Sequence, residues 1–192
     1  WIVWMAGVVP GFNTACRAFT EAGDKLLIQT PNYPPILQAH KNHGLDAYKV
    51  PVVQVNGRDT LDFDAIERHA KDPSCHLMIL CNPMNPNGAM LDKPELERLG
   101  GICQQHDVIL CSDEIHCDLV LEAGKSHIPA YSVDALKDRS VTLMSAAKTF
   151  NIAGLGVSFG IIPNPALRRR FLSAAGGLQP WANITGLVAT TA

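Results

Sequence analysis

The chain has 192 residues, of which 47% are hydrophobic and 18% charged, with a formal net charge of −2 and a pI near 6.4. That length suits one domain with a sizeable buried core, and the composition is that of a soluble globular protein, not a disordered one. A nucleic-acid binder carries a basic face; the one basic cluster here, Arg168-Arg169-Arg170, reads as the solvated side of a short helix.

No apolar run approaches the roughly 18 to 20 residues needed to span a bilayer, so no membrane partner is expected. Trp1 opens a strand-like apolar run with no initiator Met and no basic stretch before it. This reads as the interior of a longer chain, not as a signal peptide. The six cysteines (Cys16, Cys75, Cys81, Cys103, Cys111 and Cys117) form no C-x-x-C pair. Several lie in apolar runs, where a free thiol behaves as a small hydrophobe, and a reducing, cytoplasmic setting fits them. Cys111, His116 and Cys117 lack the paired spacing of a zinc site, so no metal is expected.

In chain order, apolar β-prone runs fall at Trp1–Met5, Lys25–Gln29, Ala47–Val53, His76–Cys81, Val108–Cys111, Val141–Met144 and Val157–Ile162. Segments of helical spacing separate most of them. Asp92, Pro94 and Glu95 read as an N-cap, a first-turn proline and a capping-box acid, with Leu96, Leu99 and Cys103 on one face of the helix that follows. Asn164-Pro165 opens another helix, with Leu167 and Phe171 on its apolar side. The densest turn is Asn82-Pro83-Met84-Asn85-Pro86-Asn87-Gly88, directly after a strand. Strand–helix alternation predicts an α/β fold, a three-layer sandwich around a seven-stranded, mostly parallel sheet. Residues 1–192 are expected to form one domain. Ligands of such sheets bind beyond the carboxyl ends of the strands.

Three segments at such ends carry polar chemistry. Ser145-Ala146-Ala147-Lys148 follows the sixth run. An S-x-x-K string also marks serine β-lactamases, but there the serine opens a helix and S-D-N and K-T-G partners accompany it, which this chain lacks. A lysine at a strand end otherwise suits an amine that captures an aldehyde cofactor, against the bland alternative of an exposed loop lysine. Ser112-Asp113-Glu114-Ile115-His116 follows the fifth run. Asp113 is placed either to hold a protonated pyridine nitrogen or merely to cap a helix, and His116 alone reads as a loop histidine. In the Asn-Pro-Met-Asn-Pro-Asn-Gly turn, two prolines stiffen the backbone and Gly88 permits an unusual φ. Asn85 can then present its amide to a ligand, or the turn serves no ligand.

These segments, in this order, resemble fold-type-I pyridoxal-phosphate enzymes of the aminotransferase class I/II superfamily. The strings Ser112-Asp113-Glu114-Ile115-His116-Cys117-Asp118-Leu119 and Lys148-Thr149-Phe150-Asn151-Ile152-Ala153-Gly154-Leu155 look like its cystathionine β-lyase branch, as do Gly7-Val8-Val9-Pro10 and Pro31-Asn32-Tyr33-Pro34-Pro35. The resemblance implies pyridoxal 5'-phosphate as cofactor. It implies that Lys148 carries the cofactor and moves the substrate α-proton, and that Asp113 binds the ring nitrogen. Asn85 would bond the ring hydroxyl, with His116 beside it, where many relatives have a tyrosine. Tyr33 would stack on the ring. Ser145 and the N–H groups of Val8 and Val9 would take the phosphate at a helix start. It also implies a last strand antiparallel to the rest, a homodimer, an amino-acid substrate and α,β-elimination, with transamination as the alternative reaction. A fragment that binds the cofactor without catalysis is a further alternative.

Two departures stand out. Many aminotransferases have a phosphate-gripping arginine eight residues after the lysine, where this chain has Gly156. The chain is also about half the usual family length, and the resemblance implies that the missing parts supply the small domain and its substrate-carboxylate arginine.

Overall fold

The computed structural model describes residues 1–192. In chain order the elements are β1 (Ile2–Met5), α1 (Val8–Phe19), β2 (Lys25–Thr30), α2 (Pro34–Asn42), β3 (Asp46–Pro51), β4 (Val53–Val55), β5 (Arg58–Thr60), α3 (Phe63–Ala70) and β6 (Leu77–Cys81). After these come α4 (Lys93–Gln105), β7 (Ile109–Asp113), α5 (Asp134–Lys137), β8 (Ser140–Met144), β9 (Ser158–Ile161), α6 (Pro165–Ala175) and α7 (Ile184–Thr191). Seven strands form one sheet in the order β1-β9-β8-β7-β6-β2-β3. Only β9 opposes its neighbours, pairing antiparallel with β1 and β8; the other contacts are parallel. All strands but β9 therefore end at the same edge.

The strand sequences explain the layering. In β6 every residue of Leu-Met-Ile-Leu-Cys is buried, as expected for a central strand covered on both faces. Alternate residues feed different cores. Leu77, Ile79, Cys81, Ile109, Cys111, Val141 and Leu143 meet Phe12, Cys16 and Phe19 of α1, Ile36 of α2 and Phe171 of α6. Met78, Leu80 and Leu110 meet Ile66 of α3, Leu96, Leu99 and Cys103 of α4, and Leu136 of α5. The two cores hold 22 and 21 buried residues, so neither face is left bare and the sandwich has three layers.

Local signals set the helix ends. Asp92 accepts from Glu95 N–H while Glu95 accepts from Asp92 N–H, a complete capping box. Asn164 caps α6 ahead of Pro165. The arginine run at the start of α6 is not simply solvated: Arg168 donates to the Ile162 and Pro163 carbonyls, and Arg170 to Ala18 of α1.

Two element boundaries differ from the sequence reading. The run Ala47–Val53 is not one strand: β3 ends at Pro51, and Val53 begins a separate hairpin, β4–β5, outside the main sheet. Its turn is Asn56-Gly57, with φ of 54° and 77°, the left-handed pair that a tight hairpin turn requires. The run from Val108 continues past Cys111, so Ser112 and Asp113 are the last residues of β7 itself.

Two adjacent glycines in α4 give a test of the packing. A Cβ on Gly100 would lie 2.7 Å from Ala135 Cβ of the α5 helix, whereas one on Gly101 would meet nothing within 4 Å. Gly101→Ala is expected to raise stability by up to about 1 kcal/mol through helix propensity. Gly100→Ala is expected to lower it by about 1–3 kcal/mol through overpacking. Urea unfolding of both variants measures the difference; equal shifts of one sign would show that α5 does not press on α4.

Candidate active site

The common carboxyl edge collects the polar segments. Asp113 ends β7, in register with Cys81 of β6 on one side and Leu143 of β8 on the other. Ser145 and Lys148 follow β8 directly, in a turn closed by Phe150 N–H to Ala146 and Ile152 N–H to Ala147. Asn85 follows β6, and Tyr33 follows β2 at the N-cap of α2. Val8 and Val9 follow β1 and form the first turn of α1. The chain steps outward from β2 to β3 and then returns to β6 on the other side of β2. This reversal opens a crevice at the carboxyl ends, the usual ligand position of such sheets.

Electrostatics mark Asp113. It is 4% exposed, and its side chain has one hydrogen bond, from Ile115 N–H, 3.2 Å from Oδ1. Burial pushes its carboxyl up to about 7, and the neighbouring Glu114 charge adds to the rise. Ile115 N–H and the Lys148 charge oppose it. Burial lowers the His116 imidazole, and so does Lys148. Lys148 is therefore close enough to act through charge on both Asp113 and His116. Asn85 and His116 line the same cleft, together with the β4–β5 hairpin. Tyr33 is 38% exposed, and the structure gives it no contact with these groups.

The helix side differs in kind. No side chain caps the α1 N-terminus, whose N-cap is Gly7, so the Val8 and Val9 N–H groups have no acceptor within the helix. Gly156 lies alongside: a Cβ there would have only the Ala6 carbonyl near it, at 3.8 Å. Its φ of 56° is a left-handed conformation that any side chain strains, which accounts for a glycine where an arginine would grip an anion. Ser145 is buried, and its hydroxyl proton is taken by the Val157 carbonyl at 2.7 Å while Oγ accepts from Ala147 N–H.

Three residues that shape the site escape a reading of the sequence. The Gln29 amide makes two hydrogen bonds to Cys81, its Nε2 donating to the carbonyl and its Oε1 accepting from the N–H, which carries the ladder onward beyond the Ile28–Ile79 pair, where the paired register ends. A lone amide in an apolar strand was its only signal. Glu114 is 0% exposed and accepts from Ser112 Oγ, Ala130 N–H and His127 Nε2. His127 comes from a loop thirteen residues on, and nothing in the sequence links the two. Burial pushes the Cys16, Cys75, Cys81 and Cys103 thiols up to about 12, which leaves these thiols inert.

Residues 2–189 match the model of the family Aminotransferase class I and II. The chain belongs to that family. Cystathionine beta-lyase PatB of Bacillus subtilis (strain 168) is 40% identical over 187 residues, which cover 94% of this chain and 48% of PatB. The crystal structure of OvoB superposes with a TM-score of 0.94 at 45% identity, covering 100% of this chain and 50% of OvoB. Cystalysin from Treponema denticola, whose crystal structure contains a pyridoxal 5'-phosphate cofactor, superposes with a TM-score of 0.93 at 37% identity, covering 99% of this chain and 48% of cystalysin. The chain thus spans about half the length of the aminotransferase-family relatives it matches.

Asp113 yields a stability prediction for the cofactor-free chain. Its folded pKa is about 7 against an ordinary 3.8, so the fold binds this proton more tightly than the unfolded chain does. Stability from this group is full below about pH 4, falls as the pH rises, and is lost above 7. Asp113→Asn removes the cost of an ionised buried carboxylate. The variant should match wild type near pH 4 and be more stable at pH 8, by up to about 4 kcal/mol. Urea denaturation at the two pH values reads this; a less stable variant at pH 8 would refute the assignment of strain to Asp113.

Proposed function

We propose that this chain is the large, cofactor-binding domain of a pyridoxal-phosphate-dependent carbon–sulfur lyase. Its substrate would be cystathionine or a related sulfur amino acid, and its products thiol, pyruvate and ammonia. The observation that carries the reading is the buried Asp113 carboxyl at the mid-sheet carboxyl edge, within reach of the Lys148 charge. Likeness to PatB and cystalysin over nearly the whole chain supports it.

The residues present fit the cofactor at both of its ends. Asp113 Oδ2 accepts no hydrogen bond and Oδ1 only one, so the group has room for a charged N–H donor. The uncapped α1 N-terminus has N–H groups to spare for an anion. The bound cofactor supplies an electron sink for charge that develops on the substrate Cα. Lys148 would carry the cofactor, and its amine would take the substrate Cα proton. Asp113 keeps its charge against the ring nitrogen and holds the proton there. Asn85 donates to the ring hydroxyl, and His116, with its basicity lowered by burial and Lys148, lies on the same side. Tyr33 covers the ring face. Val8 and Val9 hold the phosphate by their N–H groups, and Ser145 joins them by exchanging its bond to Val157. With no arginine at Gly156, the anion is held chiefly by backbone dipoles.

The working assembly proposed is a homodimer of the longer enzyme acting on a small amino acid in the cytoplasm. No helix of the chain is long and apolar enough to cross a membrane.

Borohydride reduction of the chain mixed with pyridoxal phosphate, followed by peptide mapping, should place a pyridoxyl group on Lys148 and lose it in Lys148→Ala. Label on Lys125 or Lys137 instead would sink the assignment. Pyruvate release from cystathionine without an added keto acid marks elimination; a strict need for a keto acid marks transamination.

A further inference from the structure

Asp113 and Glu114 are consecutive carboxyl residues at one strand end, and their surroundings are unequal. Strand alternation sends them to opposite faces of the sheet. Asp113 shares the parity of Ile109 and Cys111, which pack under α1, and Glu114 shares that of Val108 and Leu110, which pack under α3 to α5. Both are buried, at 4% and 0% exposure. Glu114 takes three donors: Ser112 Oγ at 2.8 Å, His127 Nε2 at 2.6 Å and Ala130 N–H at 2.9 Å. Asp113 takes one. His127 Nδ1 is buried without a partner, which fits the tautomer with its proton on Nε2. His127 then gives Glu114 a hydrogen bond through Nε2.

We propose that Glu114 is a positioning residue for Asp113: it fastens the segment from Ile115 to Ala130 and keeps a negative charge behind the site, so that Asp113 ionises more readily opposite a cation than alone. The inference rests on the reading of Asp113 as the partner of the ring nitrogen. Its consequence is selective. Below about pH 7 the empty site holds a neutral carboxyl, and there the carboxylate forms when a ring nitrogen brings its own proton and charge. Adjacent like charges disfavour double ionisation, and Glu114, with three donors against one for Asp113, is the better satisfied of the two. The other titratable groups around Asp113 are Lys148 from the turn after β8, Cys81 of β6 and Cys111 of β7. Burial raises both thiols, so Lys148 is the one opposing charge and Glu114 the one reinforcing it.

The test uses pyridoxine 5'-phosphate, which lacks the aldehyde and cannot join Lys148. Its dissociation constant is measured from pH 5 to 8 on wild type, Glu114→Gln, Asp113→Asn and the double variant. Titrations of the ligand itself are common to all four proteins and cancel in the comparison. Wild-type binding should weaken toward acid with a midpoint near 7, where Asp113 takes up its proton. Glu114→Gln, which keeps the shape and removes the charge, should move that midpoint down by about one pH unit. In the Asp113→Asn background the same change should move nothing. An unmoved midpoint in Glu114→Gln, with the midpoint abolished by Asp113→Asn, overturns the role of Glu114 and leaves that of Asp113 standing. A profile indifferent to Asp113→Asn overturns the reading of Asp113 itself. Should Glu114→Gln not fold, the Asp113 side-chain carbon is titrated by NMR in the unmutated, cofactor-free protein. Asp113 taking up its proton while the Glu114 side-chain carbon, followed in the same titration, still reports a carboxylate supports the inference; Glu114 protonated first, or Asp113 in the ordinary carboxylate range, overturns it.

Discussion

Three parallel strands that end in register, with Cys81, Asp113 and Leu143 side by side, govern everything else in this molecule. The backbone at Asp113 is fixed from both sides: its carbonyl accepts from Asn82 N–H, and Glu114 N–H donates to Leu143. Its side chain therefore cannot leave the sheet edge. A carboxylate held there with one donor is short of solvation, and either a proton or an incoming cationic group relieves it. The turn bearing Lys148 leaves the adjacent strand two residues beyond Leu143, and so the opposing charge is local too. Register thus sets the electrostatics of the crevice before any loop adds detail.

The second face explains why such a site survives in a stable fold. A lone buried acid is costly, and two adjacent ones cost more. The chain separates them by strand alternation and satisfies Glu114 with a hydroxyl, a backbone N–H and an imidazole. That arrangement ties the long segment after β7 back onto the sheet, ahead of the Ala130–Ser132 turn and α5. The unmet demand is confined to Asp113, on the face that opens to the crevice. Strain kept at a site and balanced elsewhere is a common cost of function.

Much of this was legible in the amino-acid sequence. All seven sheet strands left apolar runs, and the rule that ligands sit beyond parallel strand ends pointed to Asp113, Asn85 and Lys148. Resemblance to a known family supplied what periodicity could not, namely the roles proposed for Val8, Val9, Tyr33 and Ser145. The β4–β5 hairpin was missed because its strands are three residues each and partly polar, although Asn56-Gly57 marks the turn. The end of β7 was set early because Ser112 and Asp113 are poor strand formers by propensity; parallel neighbours on both sides override that. The Glu114–His127 contact was invisible for a different reason. It joins a strand end to an irregular loop, and no periodic pattern encodes such a meeting.

Small residues decide how close the two ends of the crevice come. Helix α1 begins after the edge strand β1, yet it lies across β7 and β8. Gly11 permits this: a Cβ there would stand 2.7 Å from Met5 Sδ and 3.1 Å from the Leu143 methyls. Gly160 of β9, facing the same Met5, leaves similar room, its Cβ position lying 3.1 Å from Met5 Cε. The helix can then settle deep against Leu143, the residue that also pairs with Asp113. A larger side chain at Gly11 would lift the first turn and its N–H groups away from the sheet edge. The first turn of α1 and Asp113 are therefore both referred to one residue of β8, which makes their spacing a property of the core and not of the loops.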